Sequence, residues 1–262
     1  MPLKSELIFK KFKSFLSEQI KDPKSRKSLR DNFNHIVNYP KYLINPWKKF
    51  HIYRAKDLKI YLGCGNIKME GFINIDLRPT YSTDVVADCS KLNFIRDNSV
   101  DLCITSAFFE HLFRDDRIPH LQEVNRKISK KGIAFYYGFP YFREIAKAYL
   151  DNKDGATRDK FDLYEVYRYT HGGPEEFPSY LAQLHKSLFD IQELTYILNE
   201  SNFKSYKIFN YCFKGEDHLP INLGFTASKS EIDNFKLEEI TFKNVNNYAA
   251  NHIIIDSLKF LN

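Results

Sequence analysis

The sequence predicts an α/β fold built on a mainly parallel sheet, and three observations lead there. An apolar run, Leu58 to Leu62, stops at Gly63-Cys64-Gly65. A second, Phe72 to Ile75, stops at Asp76, and beyond it short apolar runs alternate with segments whose apolar residues recur at helical spacing. A strand that ends in glycines beside a strand that ends in a carboxylate makes two walls of a crevice at one sheet edge, where open α/β sheets bind nucleosides.

Each element follows in order. Ile60 and Leu62, with Tyr61 between them, read as a buried strand, and Gly63 and Gly65 let the backbone turn and approach a ligand with no Cβ in the way. Only residues 63 to 71 join the first strand to the second. That leaves room for one helical turn at most, whereas parallel neighbours usually need about a dozen residues. Asp76, followed by Leu77, stands at the carboxyl edge of the second strand and can accept two hydrogen bonds from ribose hydroxyls. Val85-Val86 gives a short third strand ending at Asp88-Cys89, and Val100 to Thr105 a fourth, followed by Ser106-Ala107 and Glu110-His111-Leu112. Leu121, Val124 and Ile128 mark a helix over Asp116 to Lys130, with Lys131-Gly132 as its expected stop and Ile133 to Tyr137 as a fifth strand. Ile191 to Ser201 reads as a helix, Tyr206 to Phe213 and Asn222 to Ser228 as strands. The Ile253-Ile254-Ile255 run of the tail fits either a strand or a helix.

The glycines do not suit a dinucleotide. In Gly-x-Gly-x-x-Gly the third position is here Lys68, Gly71 comes too late, and Asp76 follows sooner than the roughly 20-residue spacing of that fingerprint. LGCGN, then GFINIDL, then DVVADCSKLNFIRDNSVDLCITSAFFEHL from Asp84 to Leu112 resembles class I S-adenosylmethionine-dependent methyltransferases, especially the short-loop group associated with bacterial capsule and lipopolysaccharide biosynthesis. The resemblance implies a Rossmann-like seven-stranded sheet with flanking helices that ends in an antiparallel hairpin. It implies S-adenosyl-L-methionine as cofactor, bound at Gly63, Cys64, Gly65, Asp76, Leu77, Asp88, Cys89 and Ser106. In such enzymes the Asp88 carboxylate accepts the adenine amino group, the Cys89 amide donates to an adenine ring nitrogen, and the Ser106-Ala107 backbone meets the methionine end.

On this reading residues 58–230 form the methyltransferase domain, with an acceptor lid at 139–190 inserted after the fifth strand. Residues 1–57 are a basic helical extension and 231–262 a tail. The 43% hydrophobic content of 262 residues suffices for one full α/β core. No stretch reaches the roughly 18 uninterrupted apolar residues of a membrane span, and the four cysteines lack metal-ligand spacing, so reduced thiols in a cytoplasmic enzyme are expected. Residues 1–59 hold 15 Lys/Arg against 5 Asp/Glu, the remainder 24 against 28. Leu7, Ile8, Phe12, Phe15, Leu16 and Ile20 recur at helical spacing between lysines. Such a helix packs on its own core or on a second subunit of a homodimer, or is drawn to a phosphorylated acceptor or an anionic membrane face. No recognisable RNA-binding module is present, and nucleic acid is not an expected partner.

Methyl transfer from a sulfonium needs in-line positioning and removal of a proton from the nucleophile. Histidine suits the second task. The candidates are His185 in LHKSLFD, which the resembling enzymes match with a similar histidine, then His171 and His111. Tyr141, Tyr169 and Gly172 are candidate acceptor contacts in the insertion. No metal is expected, because the ends of the fourth and fifth strands read Ser106-Ala107 and Gly138-Phe139-Pro140 rather than carboxylates. Ser106-Ala107-Phe108-Phe109 stands where nucleic-acid amino-methylases carry Asn/Asp-Pro-Pro-aromatic, and no Cys or Ser triad has supporting context. The expected reaction is methylation of a hydroxyl or amine of a small acceptor, a sugar or other surface-glycan precursor. The alternatives are N-methylation of a phosphorylated amine or other metabolite, and a cofactor-binding scaffold without turnover.

Overall fold

The first two strands, β1 (Leu58–Leu62) and β2 (Ile73–Asp76), lie side by side and parallel, with Ile60 opposite Ile73 and Leu62 opposite Ile75. The short connection is possible because β2 has four residues, so the chain retraces only about 10 Å before it re-enters the sheet. A buried side chain takes the place of the missing helix. Asn74 accepts from the Met69 amide at 2.9 Å and donates to the Met69 and Phe72 carbonyls and to Asp84 Oδ2, which closes the loop onto β2.

The computed structural model describes residues 11–12, 14–15, 21–22, 29, 37–172 and 184–261. Outward from β2 comes β3 (Val85–Val86). On the other side of β1 lie β4 (Val100–Ser106) and β5 (Ile128–Pro140), all parallel. The hairpin β6 (Ser205–Tyr211) and β7 (Asn222–Ser228) joins antiparallel, with β7 against β5. An eighth strand, β8 (Lys259–Phe260), pairs with β6, so the sheet has eight strands rather than seven, in the order β3-β2-β1-β4-β5-β7-β6-β8.

The helix expected to close at Lys131-Gly132 ends earlier. It runs Arg114–Lys127 (α2, after the N-terminal α1, Pro40–Arg54), and β5 begins at once at Ile128 with Gly132 inside it. A Cβ on Gly132 would lie 2.5 Å from the Val100 carbonyl oxygen, so that glycine serves strand approach at the β4–β5 register shift, not helix termination. The insertion after β5 carries α3 (Phe142–Leu150) and α4 (Leu163–His171), and α5 (Ile191–Glu200) and α6 (Asn234–Asn244) follow. Asp162, Asp190 and Asp233 cap α4, α5 and α6 by accepting backbone amides of their first turns.

Alternation along the strands divides the core. Ile60, Leu62, Cys103, Ala134 and Tyr136 face Leu121 and Val124 of α2 and Leu194 and Ile197 of α5. Tyr61, Ile104, Phe135 and Tyr137 face the opposite way, where Val245 and Ala249 of the π-helical turn after α6, with Ile253, cover them. The tail thereby occupies the face left open by the helix-free β1–β2 connection, with Tyr248 meeting the Phe72 ring edge-on at 5.1 Å. Ile253 makes a single bridge to Phe213, and Ile255 opens a 3-10 turn, so the isoleucine run is neither strand nor α-helix.

At the other edge, α1 closes β3. Asn45 donates to the Val86 carbonyl and accepts its amide, as a further strand would, and Lys41 Nζ donates to the carbonyls of Thr80, Tyr81 and Thr83. Burial brings the Lys41 ammonium down to about 8. The helix expected over residues 7–20 lies largely outside the described residues, as do residues 173–183 of the expected acceptor lid. Among the described residues no helix is long and apolar enough to cross a membrane.

Candidate active site

The carboxyl ends of β1, β2 and β3 meet in one cradle. Gly63 and Gly65 adopt φ of +67° and +52°, and the amides of Gly63 and Cys64 both donate to the Ile75 carbonyl. A Cβ on Gly63 would come within 2.7 Å of the Phe108 ring, so two constraints require glycine there. The Gly65 amide donates to Asp76 Oδ2 at 2.7 Å, and the Arg78 amide to Asp76 Oδ1 at 2.8 Å. Each carboxylate oxygen has two acceptor sites, so Oδ2 retains one for a further donor, while the Arg78 side chain also approaches Oδ1, at 3.5 Å. Leu77, next to Asp76, is 64% exposed, an apolar face at the rim of a polar cradle. Asp88 stands half-exposed at the end of β3, its Oδ1 accepting from the Ser90 amide and hydroxyl. These residues fit an adenosine moiety: a free carboxylate lone pair for the sugar, an apolar side chain for the base, and glycines where the ligand comes closest.

The cysteines of the cradle are structural. Cys89 Sγ accepts the Gly63 amide at 3.3 Å and points at the Ile75 carbonyl, and Cys64 Sγ lies 3.8 Å from the Thr83 hydroxyl. Burial raises both thiols, Cys64 to about 12, which keeps them protonated and unreactive. All four cysteines are buried and free.

Beyond β4 the chain makes a strained turn. Ala107 has a φ of +49°, its amide donates to the Tyr137 carbonyl at 3.0 Å, and Gly138 with φ +95° passes so close that a Cβ there would lie 2.7 Å from the Ala107 nitrogen. Ser106 sits between the phenols of Tyr61 and Tyr137, both raised by burial and lowered in part by that hydroxyl.

Past this turn opens a cavity of about 340 Å³, lined among others by Glu110, Arg168, Tyr169, Gly172, His185 and Asn222. Glu110 and His111 lie on the 3-10 turn Phe109–His111. His185 arrives from far along the chain because the Lys186 amide donates to the Glu110 carbonyl at 2.8 Å and the Ser187 hydroxyl to the Leu112 carbonyl at 2.7 Å. Burial raises the Glu110 carboxyl to about 8 and lowers His185 to about 4, with His111 as a further lowering charge on His185. His111 is lowered by burial too. Arg168 is held by Glu165 and Glu216, each at 3.2 Å, and stacks over Tyr169.

Two of the three expected acceptor contacts, Tyr169 and Gly172, line the cavity. Tyr141 is core-packed next to Pro140, its amide on the Ile221 carbonyl. Among the three histidines His185 alone lines the cavity. His171 is exposed and stacks on Tyr167.

Residues 71–136 match the family model described as Methyltransferase domain. That segment, from the end of the β1–β2 connection into β5, marks the chain as carrying a methyltransferase domain. Among curated proteins none shows significant sequence similarity to it. Solved structures are similar to the chain at low identity. An S-adenosylmethionine-dependent methyltransferase from Thermotoga maritima, described as a possible histamine N-methyltransferase, is 14% identical over 72% of this chain and 97% of its own, with a TM-score of 0.42. One from Archaeoglobus fulgidus is 16% identical over 73% and 93%, with a TM-score of 0.43. Phosphoethanolamine N-methyltransferase 2 of Haemonchus contortus, solved with phosphomonomethylethanolamine and S-adenosylhomocysteine, is 12% identical over 74% and 53%, with a TM-score of 0.40.

Several residues of the site are not singled out by the sequence. Glu110 stands in the Glu110-His111-Leu112 segment after the fourth strand, and its adjacency to His111 is the available signal. Arg168 and Asn222 left none. His120, fully buried with Nε2 2.8 Å from the Tyr136 hydroxyl, looks in the sequence like any residue of an exposed helix.

Proposed function

We propose that this methyltransferase carries the methyl group of S-adenosylmethionine to a hydroxyl of a small sugar or sugar-linked precursor of a bacterial surface polysaccharide, such as capsule or lipopolysaccharide, on the cytoplasmic side of the membrane. The observation that carries the reading is the polarity of the cavity wall. Glu110 Oε2 and Asn222 Nδ2 are buried there with no protein partner, while Arg168 already has two carboxylates. Unpaired buried polar atoms cost about 1–3 kcal/mol each unless a ligand satisfies them. A neutral polyol meets that demand, whereas a phosphate would compete for a cation already neutralised. The glycan context is supported by the resemblance of the LGCGN, GFINIDL and EHL segments.

S-adenosylmethionine supplies an electrophilic methyl group on a sulfonium sulfur. In our reading Asp76 Oδ2 takes a ribose hydroxyl on the lone pair left free by Gly65. Asp88 accepts the adenine amino group, the Cys89 amide donates to a ring nitrogen, and Leu77 covers the base. Gly63, Cys64 and Gly65 admit the ligand closely, and Ser106 with Ala107 meets its methionine end. Tyr169 and Gly172 bound the acceptor, and Tyr141 supports that wall from the core. His185 takes the acceptor proton at Nε2. Its Nδ1 lies 2.7 Å from the Tyr169 carbonyl oxygen, so the proton sits on Nδ1 and the Nε2 lone pair is free. The lowered basicity keeps that lone pair unprotonated at neutral pH.

The test is transfer of a labelled methyl group to a panel of sugar nucleotides and to phosphoethanolamine, with the product position read by NMR. Methylation of a sugar hydroxyl is expected, and His185→Gln should lower its turnover by about 100- to 10,000-fold with little change in cofactor affinity. Turnover on the phosphoamine with none on any hydroxyl would overturn the reading in favour of N-methylation. Cofactor binding with no turnover on either would reduce the chain to a scaffold.

A further inference from the structure

Glu110, His111 and His185 meet beside the cavity with three lone pairs turned toward one another. His111 Nδ1 lies 3.0 Å from the Leu184 carbonyl oxygen and His185 Nδ1 2.7 Å from that of Tyr169. A carbonyl oxygen only accepts, so each ring carries its proton on Nδ1 and a bare lone pair on Nε2. The two Nε2 atoms stand 3.8 and 3.9 Å from Oε1 of Glu110, whose side chain is 2% exposed and whose Oε2 has no hydrogen-bond partner. One donor atom from each residue falls within 4.8 Å of the others, and no N–H or O–H fixed by the neighbours lies among them. Three acceptors that converge where little water reaches are relieved by a positive charge between them, a metal ion or a proton on the Glu110 carboxyl.

We infer that Glu110, His111 and His185 form a binding site for a divalent transition-metal ion of the zinc or cobalt type. Two imidazoles and one carboxylate suit such ions better than magnesium or calcium, which prefer oxygen throughout. With bonds of roughly 2.0–2.2 Å, tetrahedral donors stand roughly 3.3–3.5 Å apart, so the two carboxylate–imidazole pairs need to close by about 0.5 Å and the imidazole pair by about 1.4 Å at most. Backbone contacts hold the donors in place, because the Lys186 and Ser187 bonds pin the His185 segment to the turn that carries Glu110 and His111. Anchoring of each Nδ1–H on a carbonyl is the outer contact that orients ligating histidines. Glu110 and His185 line the cavity, so the fourth position opens toward the acceptor. The inference goes beyond the proposed reaction and bears on one step of it. An ion on Nε2 of His185 occupies the lone pair assigned to the acceptor proton, so the loaded and metal-free enzymes differ in turnover.

The test uses the full chain, stripped with a chelator and dialysed, with neither donor nor acceptor present. Titration with Co²⁺ followed by absorption, and with Zn²⁺ by calorimetry, should give one equivalent bound, with ligand-field bands that Zn²⁺ displaces. Glu110→Gln, His111→Gln and His185→Gln should each weaken binding by about a hundredfold or more while S-adenosylhomocysteine still binds. Should a variant fail to fold, NMR of the native chain decides, since Co²⁺ must selectively broaden or shift the resonances of His111 and His185. No binding by the native chain, or Co²⁺ binding that survives all three substitutions, would overturn the site and leave a proton as the compensating charge. Because no methyl transfer is measured, that failure would leave the proposed reaction standing. A chain that binds one Co²⁺ but methylates nothing would do the reverse.

Discussion

The amide of Gly65 and the carboxylate of Asp76 face each other across two parallel strands at 2.7 Å, so the residue at the end of β2 holds the loop that leaves β1. Asp76→Ala should therefore act twice, by removing an acceptor for the ribose hydroxyls and by releasing the glycine turn. The expected loss of S-adenosylhomocysteine affinity is about 1.5–3 kcal/mol, roughly 10- to 150-fold, measured by calorimetry. Asp76→Asn keeps one acceptor oxygen and should lose less. Native affinity in the alanine variant would refute the assignment.

Asn74 should matter to the same loop from below. Asn74→Ala removes the side chain that joins Met69, Phe72 and Asp84, and leaves the Met69 amide without its acceptor. Stability should fall by about 1–3 kcal/mol in urea, and amide exchange across residues 63–72 should accelerate more than in α2. Uniform acceleration would point to global destabilisation in place of a local latch.

Gly138→Ala places a methyl group 2.7 Å from the Ala107 nitrogen at a φ of +95°. About 1–3 kcal/mol of destabilisation is expected, with turnover falling further than stability explains because the turn lies between cradle and cavity. A thermal melt and a steady-state assay on the same preparation separate the two effects.

His120 gives the fold an acid limit. Burial holds it near 4 in the native state against an ordinary 6.5, so the unfolded chain binds a proton below 6.5 that the folded chain refuses until about 4. Stability from this residue is complete above 6.5 and is lost as pH falls toward 4, at up to about 1.4 kcal/mol per pH unit. His120→Gln, whose amide can still meet the Tyr136 hydroxyl, should flatten urea midpoints measured between pH 7 and pH 4.5. His111 and His185, lowered as well, should keep part of the slope. An unchanged slope would place the acid sensitivity elsewhere.

The strands that lead to the site were legible because local chemistry ends them: Gly63 and Gly65 at positive φ, Asp76 at a sheet edge, Asp88 after two valines. What escaped depended on distant contacts. Gly132 resembles a helix stop, yet the neighbour that requires glycine is the Val100 carbonyl on the adjacent strand. The tail resisted placement because the sheet face it covers selects its apolar residues, so they follow neither a helix nor a strand period. Glu110-His111 and His185 were each visible as motifs. Their meeting depends on the Lys186–Glu110 backbone bond, a tertiary contact that no residue pattern announces.

The covering of Tyr61, Phe135 and Tyr137 by Val245, Ala249 and Ile253 also sets an order in time. Synthesis delivers β1 through β5 first, with one aromatic face bare, and the residues that close it follow only after the β6–β7 hairpin. A nascent chain held at that stage carries a half-covered sheet whose β6 edge is still waiting for β8. Folding in the cell therefore has its most aggregation-prone moment late in translation, and a chain stopped after Ser228 should accumulate with chaperones or in inclusion bodies although it contains every residue of the cradle and the cavity.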